Sequence, residues 1–277
     1  MSSVAPLRIP ESDSTLALPA GAELRLRQYG RKRAGTRGRP LVLHFHCGAF
    51  VSGDLDSGAC LARLLAEADA VVVSLAYPLA PAHPFPQAVE AGYGALEWLY
   101  KQRVKLAGAE PRIYVAGEEA GGNLAAAVTL VARDRVHPPL AGQLLVAPML
   151  DPCTGTASLR EALCDEAGCK WTQGWQQYLR SPMDAEHPYA VPGRVQRLAG
   201  LPPTLVLTGA DDPMRDEALA YARRLEAGGI RVHSGVLAPT TGWPDSLAEA
   251  NAADCPCADG VREQLRGFFQ APMPPPS

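Results

Sequence analysis

The chain has 277 residues, is 47% hydrophobic and carries 26 Lys and Arg against 29 Asp and Glu, for a formal net charge of -3. That is enough apolar chain to bury one large α/β core. With no long block of either sign it lacks the electrostatic footprint of a nucleic-acid binder, so a small neutral or apolar ligand fits better.

Short apolar or β-branched runs alternate with helical patterns. The strand expectations are "LRLRQYG" (24–30), "LVLHFH" (41–46), "AVVVSLAY" (70–77), "RIYVAG" (112–117), "GQLLVAP" (142–148), "TLVLTGA" (204–210) and "IRVHSGVL" (230–237). Between them "ACLARLLAEA", "QAVEAGYGALEWLYKQ", "EAGGNLAAAVTLVARD" and "DEALAYARRLEAGG" carry apolar residues near the 3.6-residue period. Strands alternating with helices predict an α/β fold with a mostly parallel sheet covered on both faces. The alternation breaks over 153–195, where Trp171, Trp175 and Tyr178 lie in a polar helical stretch. This segment is expected to be a lid over the sheet's carboxyl edge, where open α/β sheets bind ligands. The whole of 1–277 is expected to be a single domain, with "APMPPPS" (271–277) as a disordered tail.

The start, "MSSVAPLRIPESD", lacks a charged and then apolar signal segment, and no apolar run approaches the ~18 residues of a membrane span, so the expected location is cytoplasmic. Seven cysteines, an odd number, argue against a secreted disulfide framework and predict reduced thiols. "DCPCADG" has no second Cys or His pair at zinc-finger spacing and reads as a surface turn, so neither a metal nor a cofactor is expected.

The stretch "YVAGEEAGGNLAAAV" (114–128) begins as a strand, tightens through small residues and enters an alanine-rich helix. Together with "HCGAFVSG", "AYPLAPAHPFPQAVEAGYGALEWL", "APMLDP" and "LPPTLVLTGADDPMRDEALAYARRLEAGG", it resembles the hormone-sensitive-lipase family of α/β-hydrolases. The likeness runs from about Leu24 to Phe269 and implies an α/β-hydrolase fold. It further implies oxyanion donors in the backbone N–H groups of Gly48, Ala49 and Ala120, with His46 in the same loop. The family also pairs subunits through its last strand and helix, here about 230–237 and 259–269, which implies a homodimer.

The departures carry the functional argument. The family's serine falls on Glu119, its aspartate on Asp212 and its histidine on Thr241 of "APTTGWPDS". Trp243 takes the place of a phenylalanine and is a candidate for stacking on a ligand. His233 lies in a strand, His83 matches a structural histidine, His44 reads as a core residue and His187 as a solvated one. Ala76, Pro78 and Ala82 replace an Asp, an Arg and a Glu, which removes a polar network bracing the loops. Cys47 reads as a buried apolar filler rather than a reactive thiol. Only 45 residues precede His46, so an N-terminal pair of lid helices is expected to be absent and the pocket open on one side.

Serine hydrolysis needs a hydroxyl nucleophile and a base to take its proton, and both positions are changed. Three readings of Glu119 follow. As a plug, its side chain bends back and satisfies at least one oxyanion-hole amide, leaving an inactive or impaired esterase-like protein. Such a protein would bind a small apolar acid, ester or lactone, or a protein partner, in the relic pocket. As a catalytic carboxylate, Glu119 would serve an unconventional hydrolase, lyase or cyclase. The third reading is weak residual ester hydrolysis from the oxyanion donors and binding alone.

Overall fold

The structure is a computed structural model that describes residues 9–18, 23–33, 35, 37–152, 155–162, 170–239 and 257–272. Its strands are β1 (Glu11–Ala17), β2 (Glu23–Tyr29), β3 (Pro40–Phe45), β4 (Val71–Leu75), β5 (Arg112–Glu118), β6 (Gly142–Val146), β7 (Thr204–Gly209) and β8 (Val232–Leu237). The helices are α1 (Ala59–Glu67), α2 (Gln87–Ala107), α3 (Ala120–Asp134), α4 (Ala157–Ala162), α5 (Lys170–Tyr178), α6 (Arg215–Ala227) and α7 (Ala258–Gln270).

The eight strands form one sheet in the order β1-β2-β4-β3-β5-β6-β7-β8. Strands β4 and β3 and those from β3 to β8 pair in parallel, whereas β1, β2 and β4 pair antiparallel at one edge. Burial on both faces explains why β3, β4 and β6 read as mainly apolar runs, each broken by one polar residue. Along β3, Leu41, Leu43 and Phe45 enter the core shared with α2 and α3, while Val42 enters the core shared with α1 and α7.

Strand β1 was not among the expected strands. Its sequence ESDSTLA is exposed except at Leu16, so a polar edge strand gives no apolar run to detect. Among the described residues from 9 to 40 there is no helix. Between β6 and β7 the chain forms α4, α5 and two single 3-10 turns, Asp184–Glu186 and Pro192–Arg194. Residues 273–277 of the expected tail lie outside the described residues.

The cysteine expectation needs one correction: Cys257 is disulfide-bonded, and it is buried at the start of α7 instead of exposed on a turn. Burial at that helix start places the residue inside the layer covering β3 and β6. Cys47 and Cys60 are free and buried. No described helix is long and apolar enough to cross a membrane.

Candidate functional site

Strand β5 runs straight into α3 through one residue, Glu119, which adopts φ 49° and ψ -117° at the helix N-cap. A left-handed φ costs a residue bearing a Cβ about 1–2 kcal/mol, so the surroundings must enforce it. They do so by close backbone approach. A Cβ at Gly117 would stand 2.2 Å from the Gly121 carbonyl oxygen, and one at Gly121 would stand 2.2 Å from that of Phe45. The Glu119 amide donates to Val146 O at 3.1 Å, while its carbonyl accepts from Met149 N at 3.0 Å and Asn123 N at 3.2 Å. These bonds fasten the elbow to β6 and to the first turn of α3, with the helix N-terminus favouring an anion there.

The facing loop follows β3. Gly48, Ala49 and Phe50 all have positive φ (114°, 49° and 69°), and a Cβ at Gly48 would lie 2.1 Å from Ser52 O. His46 braces this loop: its Nδ1 lies 2.7 Å from Cys47 O, and its ring stacks on Tyr77 with centroids 4.2 Å apart. Tyr77 in turn donates to His46 O at 3.0 Å. Burial pushes the His46 imidazole down to about 4, so it stays neutral and makes a poor base. Among the described residues its buried Nε2 has no hydrogen-bond partner. The Cys47 thiol is pushed up by burial, and further by the carboxylates of Glu118 and Glu119, which makes it inert.

The two halves meet through Glu119. Its side chain is 7% exposed; Oε2 accepts the Gly48 N–H at 3.2 Å, and Oε1 lies 3.3 Å from Lys170 Nζ. Among the described residues no hydrogen bond joins Glu119 to the amides of Ala49 or Ala120, the other two donors implied by the resemblance. Lys170 opens α5, and α5 presses on the same loop: a Cβ at Gly174 would lie 2.2 Å from Ala49 O. Two aromatic residues extend this contact, since Tyr178 stacks on Phe50 at 4.0 Å and Trp175 approaches it at 4.9 Å.

Beneath the elbow lies a buried polar chain across three strands. His44 Nδ1 is 2.7 Å from Ser74 Oγ and its Nε2 is 2.7 Å from Glu118 Oε2. Burial raises the Glu118 carboxyl and the nearby Glu119 adds to this, while the His44 imidazole opposes it. All three residues are at most 2% exposed, so the constellation ties β3, β4 and β5 together away from solvent.

Asp212 follows β7 and is fully buried. Thr208 Oγ1 donates to its Oδ2 at 2.6 Å and Met214 N to its Oδ1 at 2.8 Å, so both carboxylate oxygens accept bonds from within its own turn. Thr241 and Trp243 lie outside the described residues. Three other histidines keep quiet roles. His233 bonds Gln264 at 2.6 Å from within β8, His83 bonds Gln87 at 2.7 Å on the surface, and His187 is exposed beside Phe85. Among the described residues no group of three or more His, Cys, Asp or Glu side chains is placed to hold a metal ion.

A family model described as alpha/beta hydrolase fold matches residues 42–240. Esterase LipI of Mycobacterium tuberculosis is 38% identical over 198 residues, covering 70% of this chain and 62% of that protein. An arylesterase of Saccharolobus solfataricus is 32% identical over 212 residues, covering 75% of this chain and 68% of that protein. Among solved structures, the hyperthermophilic esterase from Pyrobaculum calidifontis superposes with a TM-score of 0.81 at 34% identity, covering 94% of this chain and 85% of that one. The chain thus spans less than two thirds of the length of the Mycobacterium esterase it matches. With the parallel sheet, the strained strand–helix elbow and the facing loop in place, the chain belongs to the hormone-sensitive-lipase-like carboxylesterase family of the α/β-hydrolase fold.

Proposed function

We propose that this member of the esterase family binds a small apolar ligand and does not turn over esters by the serine mechanism. The observation that carries this reading is the Gly48 N–H bond to Glu119 Oε2 at 3.2 Å. A donor that would stabilise a substrate oxyanion is occupied by the protein's own carboxylate, standing where the family has its nucleophile. That negative charge opposes an oxyanion forming beside it, and the neutral, low-basicity His46 supplies no general base.

A free carboxylic acid is the weakest of the ligands the sequence suggested, because it would add a third carboxylate beside Glu119 and Glu118. An uncharged ester or lactone avoids that penalty. The catalytic-carboxylate alternative needs a Glu119 oxygen free to attack, whereas Oε1 faces Lys170 and Oε2 holds Gly48. We further propose the exposed edge strand β8, with Val236 49% exposed, as the pairing surface of a homodimer, and a cytoplasmic location.

Hydrolysis of p-nitrophenyl acetate and butyrate by the purified protein tests the main reading. Turnover should stay near the rate of the Glu119→Ala variant; saturable wild-type turnover at least ~10³-fold above that variant would overturn it.

A further inference from the structure

A separate cavity of about 710 Å³ opens beside α2 and shares no lining residue with the elbow or with the loop at 47–50. Leu18, Leu24, Phe85, Val89 and Val131 give it an apolar body, and both its lining and its size are ordinary for a small-molecule site. Its charged lining residues carry both signs: Glu90 and Glu97 come from α2, and the Arg135 guanidinium lies 4.3 Å from the centroid of the Tyr93 ring. An anion there meets two carboxylates and a cation meets the guanidinium, so an uncharged molecule fits best.

Quiet at the elbow, His83 and His187 both line this cavity, and each has one ring nitrogen already committed. His83 Nδ1 lies 2.7 Å from Gln87 Oε1, which can only accept, so the proton sits on Nδ1 and the neutral ring keeps a lone pair on Nε2. His187 Nδ1 accepts the Tyr189 N–H at 3.1 Å, which places the proton of its neutral ring on Nε2. One imidazole therefore offers an acceptor and the other a donor. Among the described residues neither Nε2 has a hydrogen-bond partner. Both rings stand near Phe85, His83 two residues before it in the chain and His187 with its centroid 5.0 Å from the Phe85 ring.

We infer that this cavity binds an uncharged alcohol with an apolar tail, whose hydroxyl donates to His83 Nε2 and accepts from the His187 Nε2–H. A hydroxyl is the smallest uncharged group that does both. Phe85 forms the wall towards the elbow: its N–H donates to Tyr178 O at 2.9 Å, and Tyr178 stacks on Phe50 at 4.0 Å. A ligand against Phe85 thus leaves the contacts of Glu119 in place, and the inference holds whether or not the protein turns over esters.

The experiment titrates 1-octanol by calorimetry, at neutral pH and constant ionic strength, against octanoate, n-octylammonium and heptyl methyl ether. Wild type should bind 1-octanol saturably and at least ~10-fold more tightly than either ion. His83→Phe and His187→Phe, which keep the ring but lose its nitrogens, should each weaken octanol binding about 5-fold, the worth of one hydrogen bond. The ether accepts but cannot donate, so its weaker binding should respond to His187→Phe and ignore His83→Phe, a split that a merely structural role for the two rings would not produce. His→Gln replaces His→Phe at either position if circular dichroism shows a variant unfolded. Undiminished octanol binding by the double variant would place the alcohol elsewhere and overturn the inference. A preference for either ion, or no saturable binding up to the solubility limit of octanol, would overturn it as well.

Discussion

The elbow at Glu119 and the turn at Asp212 stand at the ends of β5 and β7, with only β6 between them, and each presents a buried carboxylate. Their partners differ in kind. Thr208 and Met214, which bond Asp212, are its near neighbours in sequence. Glu119 reaches outward to Gly48 in the loop after β3 and to Lys170 at the start of α5. One carboxylate therefore bonds within its own turn. The other ties three separate elements together across the place where family chemistry occurs.

The sharpest way to break this contrast is to restore the lost groups. Glu119→Ser combined with Thr241→His should raise kcat/KM on p-nitrophenyl butyrate about 10³-fold above either single change, because a nucleophile without its base gains little. A folded double variant as inert as its parents would show that Thr241 is not the position of the base. The elbow's backbone comes next. Gly121→Ala should destabilise the protein by about 3 kcal/mol in urea unfolding, since the new methyl would meet Phe45 O at 2.2 Å.

The facing loop carries a pH signature of similar size. His46 is held neutral, its folded value lowered to about 4 by burial. Its contribution is thus fully present above the unfolded value of about 6.5 and is lost as pH falls through that window, by about 3 kcal/mol at pH 4. Denaturant midpoints of wild type and His46→Gln should converge towards pH 4; parallel profiles would show that His46 titrates normally. The smallest effect belongs to the turn at Asp212. Asp212→Asn should cost about 1 kcal/mol, with no change in the amide exchange of Gly48, where a change would reveal coupling between the two carboxylates.

The same contrast separates what the sequence disclosed from what it hid. The elbow was legible because a backbone that comes within 2.2 Å of its neighbours admits only the small residues visible in "GEEAGGN". The buried parallel strands were legible as apolar runs, and Asp212 through its motif. Lys170 left no trace, because its pairing with Glu119 arises only when α5 settles on the loop after β3, and no spacing along the chain encodes that. The chain of Ser74, His44 and Glu118 needed strand register as well: His44 lies opposite Ser74 on β4 and Ala116 on β5. Strand β1 stayed hidden because a polar edge strand has little to bury.

The most direct test of the central claim is chemical rescue of Glu119→Ala by acetate. Removing the carboxylate leaves the Gly48 amide and Lys170 facing an empty, anion-sized space. The variant should unfold at a lower temperature than wild type, and acetate should restore stability saturably, by about 1.4 kcal/mol at tenfold excess over Kd, with chloride at equal ionic strength and wild type as unresponsive controls. A variant as stable as wild type, and indifferent to acetate, would contradict the claim that Glu119 caps the oxyanion hole.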